Sequence, residues 1–281
     1  MRVSTLTGVA LILLPATASA VTSTTATSDA AALAQSLLGA NTDVTINSAT
    51  LTGDAGVAAG FFSGGLTSIG LAEGVILSTG DVADAPGPNT VDNVQTDLLG
   101  DDIITLAIEF TTQTGDLFFN YVFASDEYNE FANSTFNDDF QFILNGTTNI
   151  ALIPGTTTPV SINTVNGGNP LGTSPVNEQF FNNNDLDDGG PFFNVEYDGF
   201  TDVFTAAATG LGIGSTNLIQ LVVEDIGDDI FDSAVFIQGG SFGGTEPPAP
   251  PPIPLPAGLP LMLTALAGLA LVRRQAAKPT A

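Results

Sequence analysis

The sequence predicts a mainly β protein: an antiparallel β-sandwich of jelly-roll-like kind, with a short N-terminal helix and one C-terminal transmembrane helix. Three observations carry this expectation. Short apolar runs with period-two alternation recur along the chain, separated by Gly, Asn, Asp and Thr. The composition holds 31 glycines and 19 phenylalanines beside many Val, Ile and Leu, which suits turns between strands and a large core more than a helical bundle. Near the C-terminus, Leu255–Val272 is free of charge and is followed at once by Arg273-Arg274.

The elements follow in order. Arg2, the apolar Leu6–Pro15 stretch and Ala18-Ser19-Ala20 form a secretory signal over residues 1–20, cleaved after Ala20; the apolar run is too short for an anchor. Residues 21–245 form the extracytoplasmic domain. Its first segment, Val21–Ser28, reads as a flexible Thr/Ser-rich leader, and Ser28 or Asp29 caps a helix running through Leu38. Strands are expected over Val44–Leu51, from Phe61-Phe62, and over Gly74–Ser78, Ile103–Phe110, Leu117–Phe123 and Phe140–Leu144. Leu117–Phe123 has large residues on both faces and is therefore central. Asn145-Gly146 signals a hairpin. Further strands are expected over Asn149–Ile153, Val160–Val165, Phe192–Tyr197, Val203–Ala207, Leu218–Glu224 and Ala234–Ile237, with a polar insertion over Asn166–Asp188. A proline-rich spacer covers 246–256, the membrane helix 257–272 and a basic cytoplasmic tail 273–281.

Charge limits function more than any motif does. The four basic residues are Arg2, Arg273, Arg274 and Lys278; no Lys or Arg lies between residues 3 and 272, where all 30 carboxylates lie. The domain cannot pair its carboxylates internally and must hydrate them, screen them or hold cations. Nucleic acid is excluded as a partner, because phosphates need Lys or Arg. With neither Cys nor His, thiol chemistry, Ser-His-Asp triads and the usual transition-metal ligands are excluded too. Oxygen ligands remain, and they suit Ca²⁺ or Mg²⁺.

Two acidic clusters are candidate Ca²⁺ ligands: Asp126 and Glu127 at a strand end with Asp138 and Asp139 before the next strand, and Asp225, Asp228, Asp229 and Asp232 between two late strands. If hairpins bring both loops to one edge of the sandwich, they share a site. Asp185, Asp187 and Asp188 form a third candidate. The plain reading is that all of these are solvated loop residues making turns, and no EF-hand spacing occurs. Paired carboxylates also leave room for a secreted carbohydrate-active enzyme, although the chain has no Trp and only three Tyr for a sugar cleft. No catalytic residue is assigned.

Two stretches resemble known families. Ile253-Pro254-Leu255-Pro256-Ala257-Gly258, the apolar span and Arg273-Arg274 resemble the VPLPA form of the PEP-CTERM sorting tail of Gram-negative bacteria, with Ile at the usual Val position. The resemblance implies passage through export machinery, an inner-membrane precursor held by its C-terminal helix, processing by an exosortase, and delivery to the cell surface or extracellular matrix. Gly74–Gly80, Tyr121–Tyr128, Asn137–Phe140, Asn149–Ala151, Val160–Asn163, Tyr197–Thr201 and Glu224–Ala234 resemble the choice-of-anchor L domain. That family implies location and fold and transfers no catalytic residue. The expected protein is thus an exported, Ca²⁺-stabilised adhesion, binding or structural module for an unidentified surface, matrix or glycan ligand; a purely structural acidic surface protein without metal is the remaining alternative.

Overall fold

The computed structural model describes residues 23–38, 43–91, 94–96, 103–135, 137–225, 230–249, 251 and 253, within a unit spanning Ser19–Pro254. The expected signal peptide, the sorting residues Pro254, Leu255, Pro256, Ala257, Gly258, Arg273 and Arg274, and the expected membrane helix lie outside the described residues. Among the described residues no helix is long and apolar enough to cross a membrane.

Two antiparallel sheets form the domain. The larger runs in the order β1 (Ser23–Ala26), β3 (Ala59–Ser63), β4 (Glu73–Ser78), β13 (Ser233–Gln238), β6 (Leu117–Ser125), β10 (Gly199–Thr201) and β9 (Phe181–Asn183), and β11 (Phe204–Ala208) pairs with the first half of β6. The smaller runs β2 (Val44–Thr52), β5 (Ile103–Thr112), β12 (Thr216–Glu224), β7 (Asp139–Leu144) and β8 (Thr148–Asn149). Asn145 and Gly146 both take positive φ, 50° and 75°, in the tight β7–β8 turn that the sequence signals. One helix, α1 (Ala30–Leu37), is capped by Asp29, whose carboxylate accepts the Ala32 N–H at 3.0 Å.

Period-two alternation builds the core. In β5 and β12 every second residue is buried: Ile104, Leu106, Ile108 and Phe110 on one, Ile219, Leu221 and Val223 on the other. They meet Leu117, Phe119, Tyr121 and Phe123 of β6 and Phe140 and Phe142 of β7. Ring contacts join the layers: Phe119–Phe142 at 5.0 Å, Tyr121–Phe142 at 4.9 Å and Phe123–Phe140 at 4.9 Å between centroids. β6 is central, as its sequence predicts. Its other face, with Val122 and Ala124, joins Ile76, Phe200, Ala234 and Phe236 in an outer core covered by Val82, Ala85, Val195 and Tyr197 from loops.

Several segments differ from the expectation. The leader is not loose: Ser23–Ala26 pairs with Gly60–Ser63 as an edge strand, where β-branched Thr is favoured. Part of the polar insertion, Phe181–Asn183, pairs with β10. Conversely, Phe192–Tyr197 is a loop with a single bridge between Val195 and Pro86, and Val160–Val165 is mostly turn. The reason lies in the asparagines. Fully buried Asn184 donates to the carbonyls of Val195 (2.9 Å) and Tyr197 (3.0 Å) and accepts the N–H groups of Phe192 (2.8 Å) and Phe193 (2.7 Å). One side chain thus satisfies four backbone groups that a strand would otherwise pair. Replacing Asn184 by Ala orphans these groups at roughly 1–3 kcal/mol each where they stay dry. The expected result is a lower midpoint in urea unfolding with an unchanged slope.

Candidate functional site

Strand parity sets the site. On β6 the residues facing away from the sandwich interior include Val122 and Ala124, so Asp126, just past the strand, follows them on that outer face. On β13 the outer residues are Ala234 and Phe236, which puts Asp232 on the same face; on β10 it is Phe200, which does the same for Asp198. Register completes the alignment: Ser125 stands opposite both Ser233 and Gly199. Three neighbouring strands therefore carry Asp198, Asp126 and Asp232 side by side at one end of the large sheet. The Asp126 N–H donates to the Asp232 carbonyl at 3.0 Å, and the Asp198 N–H donates to Asp126 Oδ1 at 3.1 Å.

The row is under cover. Asp126 and Asp198 are fully buried and Asp232 is 6% exposed. Gly80, two residues past β4, admits the Asp232 carboxylate: a Cβ there would stand 1.8 Å from its Oδ2. The Thr96 N–H donates to Asp232 Oδ1 at 3.1 Å. Buried Asn89 donates through Nδ2 to Asp198 Oδ1 and to the Asn184 carbonyl. Two oxygens in this neighbourhood, Asp126 Oδ2 and Asn89 Oδ1, are buried and accept no hydrogen bond among the described residues. Tyr197 closes the side, its hydroxyl 3.4 Å from Ser78 Oγ.

Electrostatics follow from burial without counter-charge. Burial, then Asp198 and Asp232, push the Asp126 carboxyl well above the usual carboxylate range; the Asp198 N–H opposes this and Glu196 adds to it. Burial also raises the Tyr197 phenol, with Asp126, Asp232 and Asp84 adding to the shift against a hydrogen bond from Ser78. Glu196 is raised by burial and by Asp84, against the N–H groups of Thr90 and Val91. Asp84 and Glu196 line a pocket of about 590 Å³ with Pro86, Thr90, Val91 and Gln95.

The candidates read from the sequence divide between the sheets. Asp126 and Asp232 come together in the row. Asp139 stands opposite Glu224 in the β7–β12 pairing, so Asp138, Asp139 and Asp225 belong to the end of the smaller sheet; Asp138 is buried. Glu127 is buried beside Asp126, its N–H on Ser125 Oγ at 2.9 Å. Asp228, Asp229 and the side chain of Asp139 lie outside the described residues. In the insertion, Asp185 accepts the Asp187 N–H at 2.7 Å and Asp188 accepts from Asn129 at 2.9 Å. Among the described residues no three acidic side chains are set to hold one metal ion, so any cation needs amide, backbone or water oxygens as well. Sequence reading missed Asn89, Asp198 and Glu196. Asp198 was findable: a strand from Gly199 would have given it the parity of Phe200.

No curated protein and no solved structure matches the chain. The model of the choice-of-anchor L domain matches residues 20–243, nearly the whole described domain. This domain marks a surface-associated protein, and the chain belongs to the choice-of-anchor L family.

Proposed function

We propose that the chain is an exported module displayed at the surface or in the extracellular matrix of a Gram-negative bacterium, and that its domain is stabilised by Ca²⁺ for adhesion, ligand binding or matrix structure. Family membership supports the surface location. The signal sequence, the VPLPA-like tail and the basic cluster support export and exosortase processing. The observation that carries the cation is the buried Asp198–Asp126–Asp232 row in a domain with no Lys or Arg between residues 3 and 272. A buried carboxylate must be neutralised by a proton or a cation. The donors present are oxygens only, the set that Ca²⁺ takes in six- to eight-fold coordination completed by carbonyls and water.

A second reading has its own observation. Glu196, its carboxyl raised first by burial, lines the 590 Å³ pocket together with Asp84, an arrangement that would suit Glu196 as a general acid in glycoside hydrolysis. Release of reducing sugar from a polysaccharide panel, lost in Glu196→Gln, is its expected signature; a flat panel rejects it.

The cation reading predicts a saturable rise in melting temperature when Ca²⁺ is titrated into chelated protein, with Mg²⁺ and ionic strength as controls. At 100-fold excess over Kd, the stabilisation is about 2.7 kcal/mol. A rise no larger than that given by Mg²⁺ or salt rejects it.

The raised Asp126 carboxyl predicts the pH dependence in chelator. The folded state keeps its proton above the unfolded value of about 3.9, so its contribution is fully present below that value and is lost as pH rises through the folded one. Melting temperature should therefore fall from acidic toward neutral pH, and Asp126→Asn should flatten the fall relative to wild type.

A further inference from the structure

We infer that the cation seat is built by the Asp126 carboxylate and the Asn89 side-chain oxygen, flanked by Asp198 and Asp232. This inference rests on the reading of the domain as Ca²⁺-stabilised, and it goes further in naming the ligands. Asp126 Oδ2 and Asn89 Oδ1 are two of the buried oxygens that accept no hydrogen bond among the described residues, on side chains at most 1% exposed. An oxygen lone pair left dry is costly, and a cation satisfies it as well as a donor does. The two residues are tied through Asp198, whose N–H holds Asp126 Oδ1 and whose carboxylate holds Asn89 Nδ2. With that amide orientation, Asn89 keeps its oxygen free for a metal while its nitrogen neutralises part of Asp198. Asp198 and Asp232 supply negative charge next to Asp126, which favours a divalent over a monovalent ion. Mixed ligation by carboxylate, amide and backbone oxygens is ordinary for Ca²⁺ and needs no third carboxylate.

The seat joins four parts of the chain: the loop at Asn89, the end of β6, the loop that leads into β10 at Asp198, and the start of β13. A cation there fastens the loops that cover the outer core to the sheet beneath. The carboxylates of the smaller sheet's end, Asp138 and Asp225, are not part of it.

The test uses the full chain purified in detergent, chelated, with Ca²⁺ as the probe and thermal unfolding as the readout. Asn89→Ala and Asp198→Asn should each weaken the Ca²⁺-dependent shift, raising the half-saturating concentration about tenfold or more. Asp138→Asn and Asp225→Asn should leave it within about twofold of wild type. A wild-type shift that survives Asn89→Ala and Asp198→Asn overturns the seat and leaves the Ca²⁺ reading standing; no Ca²⁺-selective shift in wild type overturns both.

A second measurement covers the case in which these variants fail to fold. Tb³⁺ replacing Ca²⁺ emits when a nearby aromatic ring is excited. The chain has no Trp and three Tyr, of which Tyr197 is the one whose charged neighbours are Asp126 and Asp232. Tyr197→Phe, a near-isosteric change, should remove most of the sensitised emission while the Ca²⁺-dependent thermal shift persists. Emission that is unchanged in Tyr197→Phe and lost in Tyr128→Phe places the ion elsewhere and overturns the inference.

Discussion

Everything in this domain is arranged around the absence of cationic side chains. A chain with 30 carboxylates, and no Lys or Arg between residues 3 and 272, has no internal ion pair with which to bury a charge. Most folded proteins that bury an Asp do so against Arg or Lys, and the Coulomb gain offsets part of the lost hydration. Here carboxylates stay near water, accept from backbone N–H groups, as Asp29 does at the start of α1 and Asp185 does with Asp187, or accept from neutral side chains, as Asp188 does from Asn129. Asp126 and Asp198 do none of these fully. They are sealed beside one another and beside Asp232, where each raises the cost of ionising its neighbour.

That concentration of charge depends on β6 being buried on both faces. One face supplies the rings that knit the two sheets together, Phe119, Tyr121 and Phe123. The other supplies Val122 and Ala124 to an outer core that only loops cover. A sheet whose outer face met solvent would hydrate a row of aspartates at its end. Because Val82, Ala85, Val195 and Tyr197 close over this face, the row ends up dry. Asn184 in turn holds the 192–197 segment in place through four backbone contacts. Sheet register places the carboxylates, and side-chain amides hold the lid that buries them.

Where the sequence could be read, it was read through period two. β5, β6, β7, β12 and β13 alternate or are continuously apolar, and each lies within about two residues of its expected bounds. β1 and β9 were invisible because they are short and polar; backbone pairing with β3 and β10 makes them strands, and no side-chain pattern reports that. Phe192–Tyr197 erred the other way. Its apolar residues serve the outer core from a loop, which local pattern cannot tell from a strand. The site was half legible for the same reason. Asp126 and Asp232 are recognisable as acids at strand ends, but their neighbours Asp198 and Asn89 come from segments 72 and 37 residues from Asp126 in sequence, and pairing across such separations is written in the register alone.

The way such a centre stabilises a fold differs in kind from the disulfides common in exported domains. The chain has no cysteine, so nothing covalent restrains its unfolded state. An ion that binds only the folded form leaves the unfolded ensemble untouched and adds stability by mass action, in proportion to the logarithm of its concentration over Kd. An ion seated as proposed would join four segments as distant in sequence as Asn89, Asp126, Asp198 and Asp232 by a link whose strength the surroundings set. With the seat filled, the carboxylates can stay ionised under their lid; without it, the row must take up protons or let water in, and the loops over the outer core are the part with least regular pairing to resist that.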